Sequence, residues 1–335
     1  MYLKYLALTL CAIATIQSSG CQNIQMSTKV IASIFNASTN VQKKMIDKYA
    51  PEEILVQKNI TYMQEPKLTL DVYQPKNVTQ LEARPTVVWI HGGGWVSGSK
   101  EHAGGYFKLL ADQGYNVVSV QYQFAPEAIY PNQLLQINQA LKFITEHAQQ
   151  YHINANQIYL AGDSAGANLV SHYAALISNP TFAQQSKFTP LIQRAQIKGL
   201  ILHCGIYDMN AFVNTAPDKL KLIEWGVFSL VQSYTGNKKD DVAFLKTISP
   251  IQYLTANYPP VFISGGNKDF LTKTQSEPFV QALVSQKIPV TEVFYPDSKE
   301  SLVHEYQFMM SKAASQETFK KTIDFISYYS PSSKE

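Results

Sequence analysis

From residue 85 onward, short apolar stretches alternate with longer stretches of helical spacing, and this alternation constrains the fold more than any other feature of the chain. Residues 85–90, 115–122, 157–161, 196–204, 260–264 and 290–295 are rich in β-branched and apolar residues and read as strands, 85–90 as one buried on both faces of a sheet. Between and after them, residues 105–113, 131–149, 165–178, 274–286 and 317–328 carry helical apolar spacing. Such a series builds a mostly parallel sheet with helices on both faces. Ahead of it, residues 54–63 and 68–73 alternate and predict a hairpin, bringing antiparallel strands to one edge and the total to eight. Residues 207–258 break the rhythm with an apolar run, 222–231, and a polar run, 235–241; they predict a small helical cap inserted in the domain.

One turn in this series has the form required of a nucleophile. Gly162-Asp163-Ser164-Ala165-Gly166 leaves the strand ending at Ala161 and opens a helix at Ala165. A G-x-S-x-G sequence between strand and helix sets the serine on a sharp turn, with its hydroxyl clear of the sheet. The helix start supplies unpaired N–H groups and a positive dipole end to a developing anion. His91-Gly92-Gly93-Gly94-Trp95 follows the strand at 85–90, and its glycines present backbone N–H groups that no side chain shields. The N–H groups of Gly92 and Gly93 with that of Ala165 are the expected oxyanion donors.

A serine nucleophile needs a base, and the base needs an acid. Of seven histidines, His304 stands in a loop after the last strand and before the last helix, which fits the chain order serine, acid, histidine. His147 and His152 read as surface residues, His203 as core, and His172 as directed away from the turn; His102, near the glycine loop, remains open as a rival. Asp269 directly follows the strand at 260–264 and is the expected acid, with Asp208 second and Asp297 in a polar turn. Trp95 is the expected substrate-contacting residue, although a core position suits an aromatic in an apolar segment equally well.

These residues together resemble the hormone-sensitive-lipase-like carboxylesterases of the α/β-hydrolase fold. The resemblance rests on His91–Trp95, Gly162–Gly166 with Asn168 and Leu169, Asp269 with Leu271, His304 with Tyr306, and Tyr122-Gln-Phe-Ala-Pro-Glu127. In the last of these, Gln123 stands where the family has arginine. The resemblance spans roughly residues 54–328. It implies hydrolysis of short- to medium-chain esters by Ser164, His304 and Asp269 through an acyl-enzyme, with no metal or cofactor. An amidase or formamidase built on the same three residues stays open, as does, further off, a non-catalytic binding module.

The N-terminal residues form a separate unit. Lys4, the apolar run 6–16 and the small polar residues before Cys21 have the layout of a secretory signal over residues 1–20. Cys21 stands where a lipoprotein is cleaved and lipidated, which would tether the protein to a membrane in the cell envelope. Ordinary cleavage near Gly20, leaving Cys21 free, is the alternative. Residues 21–53 read as a tether followed by helical stretches at 29–35 and 41–49 that pack over an active site. Cys204 is left without a partner in a strand-like segment and reads as a core thiol, so no disulfide is expected. A formal charge of +3 without basic runs gives no support for a nucleic-acid partner.

Overall fold

A computed structural model describes residues 24–76, 83–214 and 221–330; the predicted signal segment and Cys21 lie outside the described residues. Eight strands form one sheet. They are β1 (Ile54–Met63), β2 (Leu68–Pro75), β3 (Arg84–Ile90), β4 (Asn116–Val120), β5 (Ile153–Asp163), β6 (Ile197–His203), β7 (Val261–Gly265) and β8 (Val290–Phe294). Their order is β1-β2-β4-β3-β5-β6-β7-β8, with antiparallel pairing only at β1/β2 and β2/β4. The hairpin thus occupies one edge, and β3 and β5 lie side by side in the middle, where both apolar runs are longest.

Strand periodicity divides the core in two. Val88 and Ile90 join Leu160, Leu200, Leu202 and Ile263 on one face. Val87 and Trp89 join Tyr159, Ala161, Ile201 and Phe262 on the other. Fully burying an aliphatic or aromatic side chain of this size contributes ~1.5–3 kcal/mol, so central strands covered on both faces hold the sheet rigid beneath the loops at its carboxyl edge.

The helix after the serine turn, Ala165–Ser178, is buried along its whole length, which explains its small residues Ala165, Gly166, Ala167, Ala174 and Ala175. The helix predicted at 274–286 begins as a wide turn, Thr272–Ser276, and becomes regular only at Glu277. A short helix at Pro180–Gln185 was not foreseen. Asn179 caps it by accepting the Phe182 N–H at 3.0 Å, with proline in the first turn.

The two N-terminal helical stretches prove to be one helix, α1 (Ile24–Ile46). No glycine or proline lies between them to break it. Within residues 207–258 the chain forms α6 (Met209–Asn214), α7 (Lys221–Thr235) and α8 (Val242–Thr247), counting α2 (Gly104–Asp112), α3 (Asn132–Glu146), α4 (Ala165–Ser178) and α5 (Pro180–Gln185) before them. Helix α1 packs along α7, where the hydroxyls of Thr28 and Ser233 meet at 2.7 Å. The helical cover is therefore built from two distant segments, not from the insertion alone. Among the described residues no helix is long and apolar enough to cross a membrane.

Candidate active site

Ser164 occupies the turn between β5 and α4 with φ 51° and ψ −119°, a region that residues bearing a Cβ rarely enter. Two backbone bonds hold it there. Its N–H donates to His203 O at 2.9 Å, and its carbonyl accepts the Asn168 N–H at 3.2 Å. The flanking glycines are required by close packing: a Cβ on Gly162 would lie 2.6 Å from the Gly166 carbonyl carbon, and one on Gly166 would strike the Ile90 carbonyl oxygen.

The three residues read as nucleophile, base and acid converge from separate parts of the chain. Ser164 Oγ lies 3.0 Å from His304 Nε2, and His304 Nδ1 lies 2.7 Å from Asp269 Oδ2. The other Asp269 oxygen accepts the Leu271 N–H at 3.0 Å, which fixes the carboxylate plane. Asn267 joins the two loops: its Nδ2 donates to Ser298 O and Glu300 O, and its Oδ1 accepts the Leu302 N–H. Sequence reading did not single out this clamp. Neither rival acid takes part, since Asp208 accepts the Ala211 N–H at the start of α6 and Asp297 is exposed.

Burial opposes a charge on His304, but the Cys204 sulfur and the Asp269 carboxylate beside it raise its pKa well above the ordinary 6.5. Burial pushes the Cys204 thiol itself up to about 11, so it is neutral at neutral pH and Asp269 carries the effect. Cys204, Asp269 and His304 place ligand-type atoms within 4.8 Å of one another. The imidazole and carboxylate atoms are already hydrogen-bonded to each other, so this spacing is that of a proton relay.

Two expectations need correction. Gly92 does not offer its N–H to a ligand, because that group donates to Asp163 Oδ2 at 2.8 Å. A buried carboxylate requires such donors, and Asp163 also takes the Trp89 Nε1–H at 2.7 Å. Among the described residues no hydrogen bond takes up the N–H of Gly93, Gly94 or Ala165, and these three remain for an oxyanion. Trp95 is likewise not a substrate wall. Its left-handed backbone, φ 64°, sets the side chain in the core, fully buried and stacked on Tyr234 of α7 with ring centroids 4.5 Å apart. Trp95→Ala is therefore expected to cost about 3–5 kcal/mol of stability and leave KM for a small ester unchanged. Urea denaturation and steady-state kinetics check this, and a raised KM at unchanged stability would restore Trp95 to the site.

Three other histidines lie buried outside the relay. His203 Nδ1 meets Ser264 Oγ at 2.7 Å, and His172 lies buried between the Tyr130 and Phe182 rings. His102, the rival base left open in the sequence, is buried and faces Asp163 rather than Ser164, with Nε2 3.5 Å from Asp163 Oδ2. Gln123, in place of the family's arginine, pairs with Gln136 at 2.7 Å.

Ser164 and His304 open into a cavity of about 370 Å³. Helix α1 supplies one wall through Phe35, Thr39, Gln42 and Met45, facing Val303 and Phe308. The helix is fixed to the site loops by Gln42 Nε2, which donates to Glu305 O at 3.3 Å, and by Asn36 Oδ1, which accepts the Gly98 N–H at 3.3 Å.

The sheet order, the serine turn at the end of β5 and the residues gathered there define an α/β-hydrolase. The BD-FAE family's sequence model matches residues 70–283, and the chain belongs to this hormone-sensitive-lipase-like family. Esterase LipC of Mycobacterium tuberculosis is 25% identical over 228 residues, covering 68% of this chain and 54% of the relative. Kynurenine formamidase of Salmo salar is 37% identical over 168 residues, covering 50% of this chain and 51% of the relative. The chain thus spans about half the length of these curated relatives. Among solved structures, an inhibited esterase B from Lactobacillus rhamnosis superposes with a TM-score of 0.78 at 21% identity, over 92% of this chain and 96% of that one.

Proposed function

We propose that this protein is a serine ester hydrolase that cleaves short- to medium-chain carboxylic esters through an acyl-enzyme. The observation that carries the proposal is the Ser164–His304–Asp269 relay, with links of 3.0 and 2.7 Å, at a cavity edged by unbonded N–H groups. His304 Nε2 takes the Ser164 proton as Oγ attacks the ester carbonyl. Asp269 holds the ring by its Nδ1–H and steadies the imidazolium. The N–H groups of Gly93, Gly94 and Ala165 receive the oxyanion. The imidazolium then protonates the departing alcohol, and water, activated by the same ring, releases the acid. The cavity lies toward the small end of ligand sites, which supports acyl groups of modest length.

The esterase names of LipC and esterase B support this reading, and the formamidase relative supports a second one, hydrolysis of amides or formamides on the same relay. Purified protein is expected to be labelled by a fluorophosphonate and, on a panel of acyl esters, anilides and formamides, to turn over acetate and butyrate esters fastest. Faster turnover of formamides would favour the second reading; no labelling and no turnover would leave a binding module. The signal-like segment and Cys21 support action in the cell envelope, on a lipid tether.

A further inference from the structure

A group of ionisable side chains outside the relay lies directly behind the glycine loop. Asp163 is fully buried and accepts the Gly92 N–H and the Trp89 Nε1–H. His102 approaches the same carboxylate from the turn before α2, its ring held by a 2.8 Å contact of Nδ1 with Ser99 O. The last member is Glu305, next in chain to His304. Its backbone is left-handed, with φ 60° and ψ 30°, a conformation uncommon in a residue with a Cβ. That turn sends its carboxyl back beneath the glycine loop. Asp163 Oδ2 and Glu305 Oε1 are the side-chain atoms nearest to where a Cβ on Gly92 would stand. Both oxygens crowd that one point, Glu305 Oε1 at 3.1 Å from it, so the two carboxyls face each other across Gly92, and two charged carboxylates do not share such a space.

We propose that Glu305 is a positioning residue whose protonated carboxyl donates to Asp163, tying the His304 loop to the glycine loop and the serine turn. The proposal rests on the hydrolase reading above. One proton thereby joins three pieces of the site: Asp163 precedes Ser164, its Oδ2 holds Gly92, and Glu305 carries the backbone of His304.

Electrostatics supply the direction. Burial and the Asp163 carboxylate push Glu305 up to about 7. Burial alone would raise Asp163 too, but His102 and the Trp89 and Glu305 hydrogen bonds hold it well below the usual carboxylate range. The other titratable groups facing this cluster are His304 on the same loop, Cys204 after β6, and three that burial keeps neutral: His91 behind His102, His203 at the end of β6 and Tyr122 after β4. Helix α1 contributes only the neutral Gln42, bonded to the Glu305 carbonyl. Below about 7 the tie is made; above it, Glu305 loses its proton, two like charges face each other, and the loops lose their link.

The test is kcat and KM for a chromogenic butyrate ester across roughly pH 5.5–9, in wild type, Glu305→Gln, Glu305→Ala and Ser164→Ala. Wild-type kcat is expected to fall on the alkaline side. Glu305→Ala should lower kcat by roughly ten- to a hundredfold with KM little changed, because loops that drift misplace the reacting groups. Glu305→Gln, whose amide donates the same bond without a titrating proton, should recover the turnover lost in the alanine variant and abolish the alkaline decline. Infrared difference spectra of wild type against Glu305→Gln should show a protonated carboxyl band at acid pH, a readout that does not depend on turnover. An alkaline decline unchanged in Glu305→Gln, equal turnover in the two variants, or no carboxyl band overturns the proposal. Ser164→Ala separates the two readings: its inactivity with wild-type behaviour in both Glu305 variants rejects only the positioning role, and its full activity rejects Ser164 as the nucleophile and with it the relay on which the proposal rests.

Discussion

Replacing Ser164 by alanine is expected to lower turnover of a chromogenic butyrate ester by at least about four decades while leaving the protein folded. The size of the loss follows from the relay acting as a unit. Without Oγ, His304 has no proton to take, and only the oxyanion donors and the cavity remain to assist water. The fold should survive because the bonds that hold this strained turn are backbone bonds, from Ser164 N–H to His203 O and from Asn168 N–H to Ser164 O, and both persist in the variant. The Oγ contact with His304 is the side-chain hydrogen bond that is lost. Alanine also fits the same left-handed φ no worse than serine. Circular dichroism and urea midpoints should match the wild type, and fluorophosphonate labelling should vanish. Labelling that persists at Ser164→Ala would point to a different nucleophile.

The parts of the site legible in the sequence are those set by local chain geometry. A strand, a glycine-flanked serine and a helix start within one short segment, so Ser164 could be read directly. Asp269 and His304 stand in loops that follow strands of the same sheet, and parallel strands bring such loops to one edge. What was not legible depends on partners distant in the chain. Gly92 looks as free as Gly93 until Asp163, 71 residues away, takes up its N–H. Trp95 looks like a pocket residue until its φ of 64° is known, and a residue that follows three glycines carries no sign of the direction its backbone takes. Helix α1 was legible as helical stretches over the site, but it buries only Ser27, Thr28, Ile31 and Ile46, two of them polar, so its contact with α7 leaves almost no apolar stripe to recognise. The family match starts at residue 70, so this wall of the site lies outside the matched segment.

Asp269→Asn is expected to lower kcat by about four decades, and the geometry states why an isosteric change is so costly. One Asp269 oxygen accepts the Leu271 N–H at 3.0 Å and the other faces His304 Nδ1 at 2.7 Å. In the asparagine variant the amide oxygen must stay on Leu271, which turns the NH2 group toward Nδ1. The ring must then accept at Nδ1 and carry its proton on Nε2, where it cannot receive one from Ser164. The pH dependence moves with it. Asp269 raises His304 well above 6.5, so the wild type loses activity as pH falls through that raised value and the ring becomes protonated. Without the carboxylate the raise disappears, and the acid limb of the residual activity should shift to lower pH. Stability follows the same linkage: a raised histidine stabilises the fold below its unfolded pKa, and that contribution is lost as pH rises through the folded value. The deficit of Asp269→Asn against wild type should therefore be largest in acid and shrink toward alkaline pH. Rate profiles and urea midpoints at several pH values check both signs; turnover within tenfold of wild type would remove Asp269 from the relay.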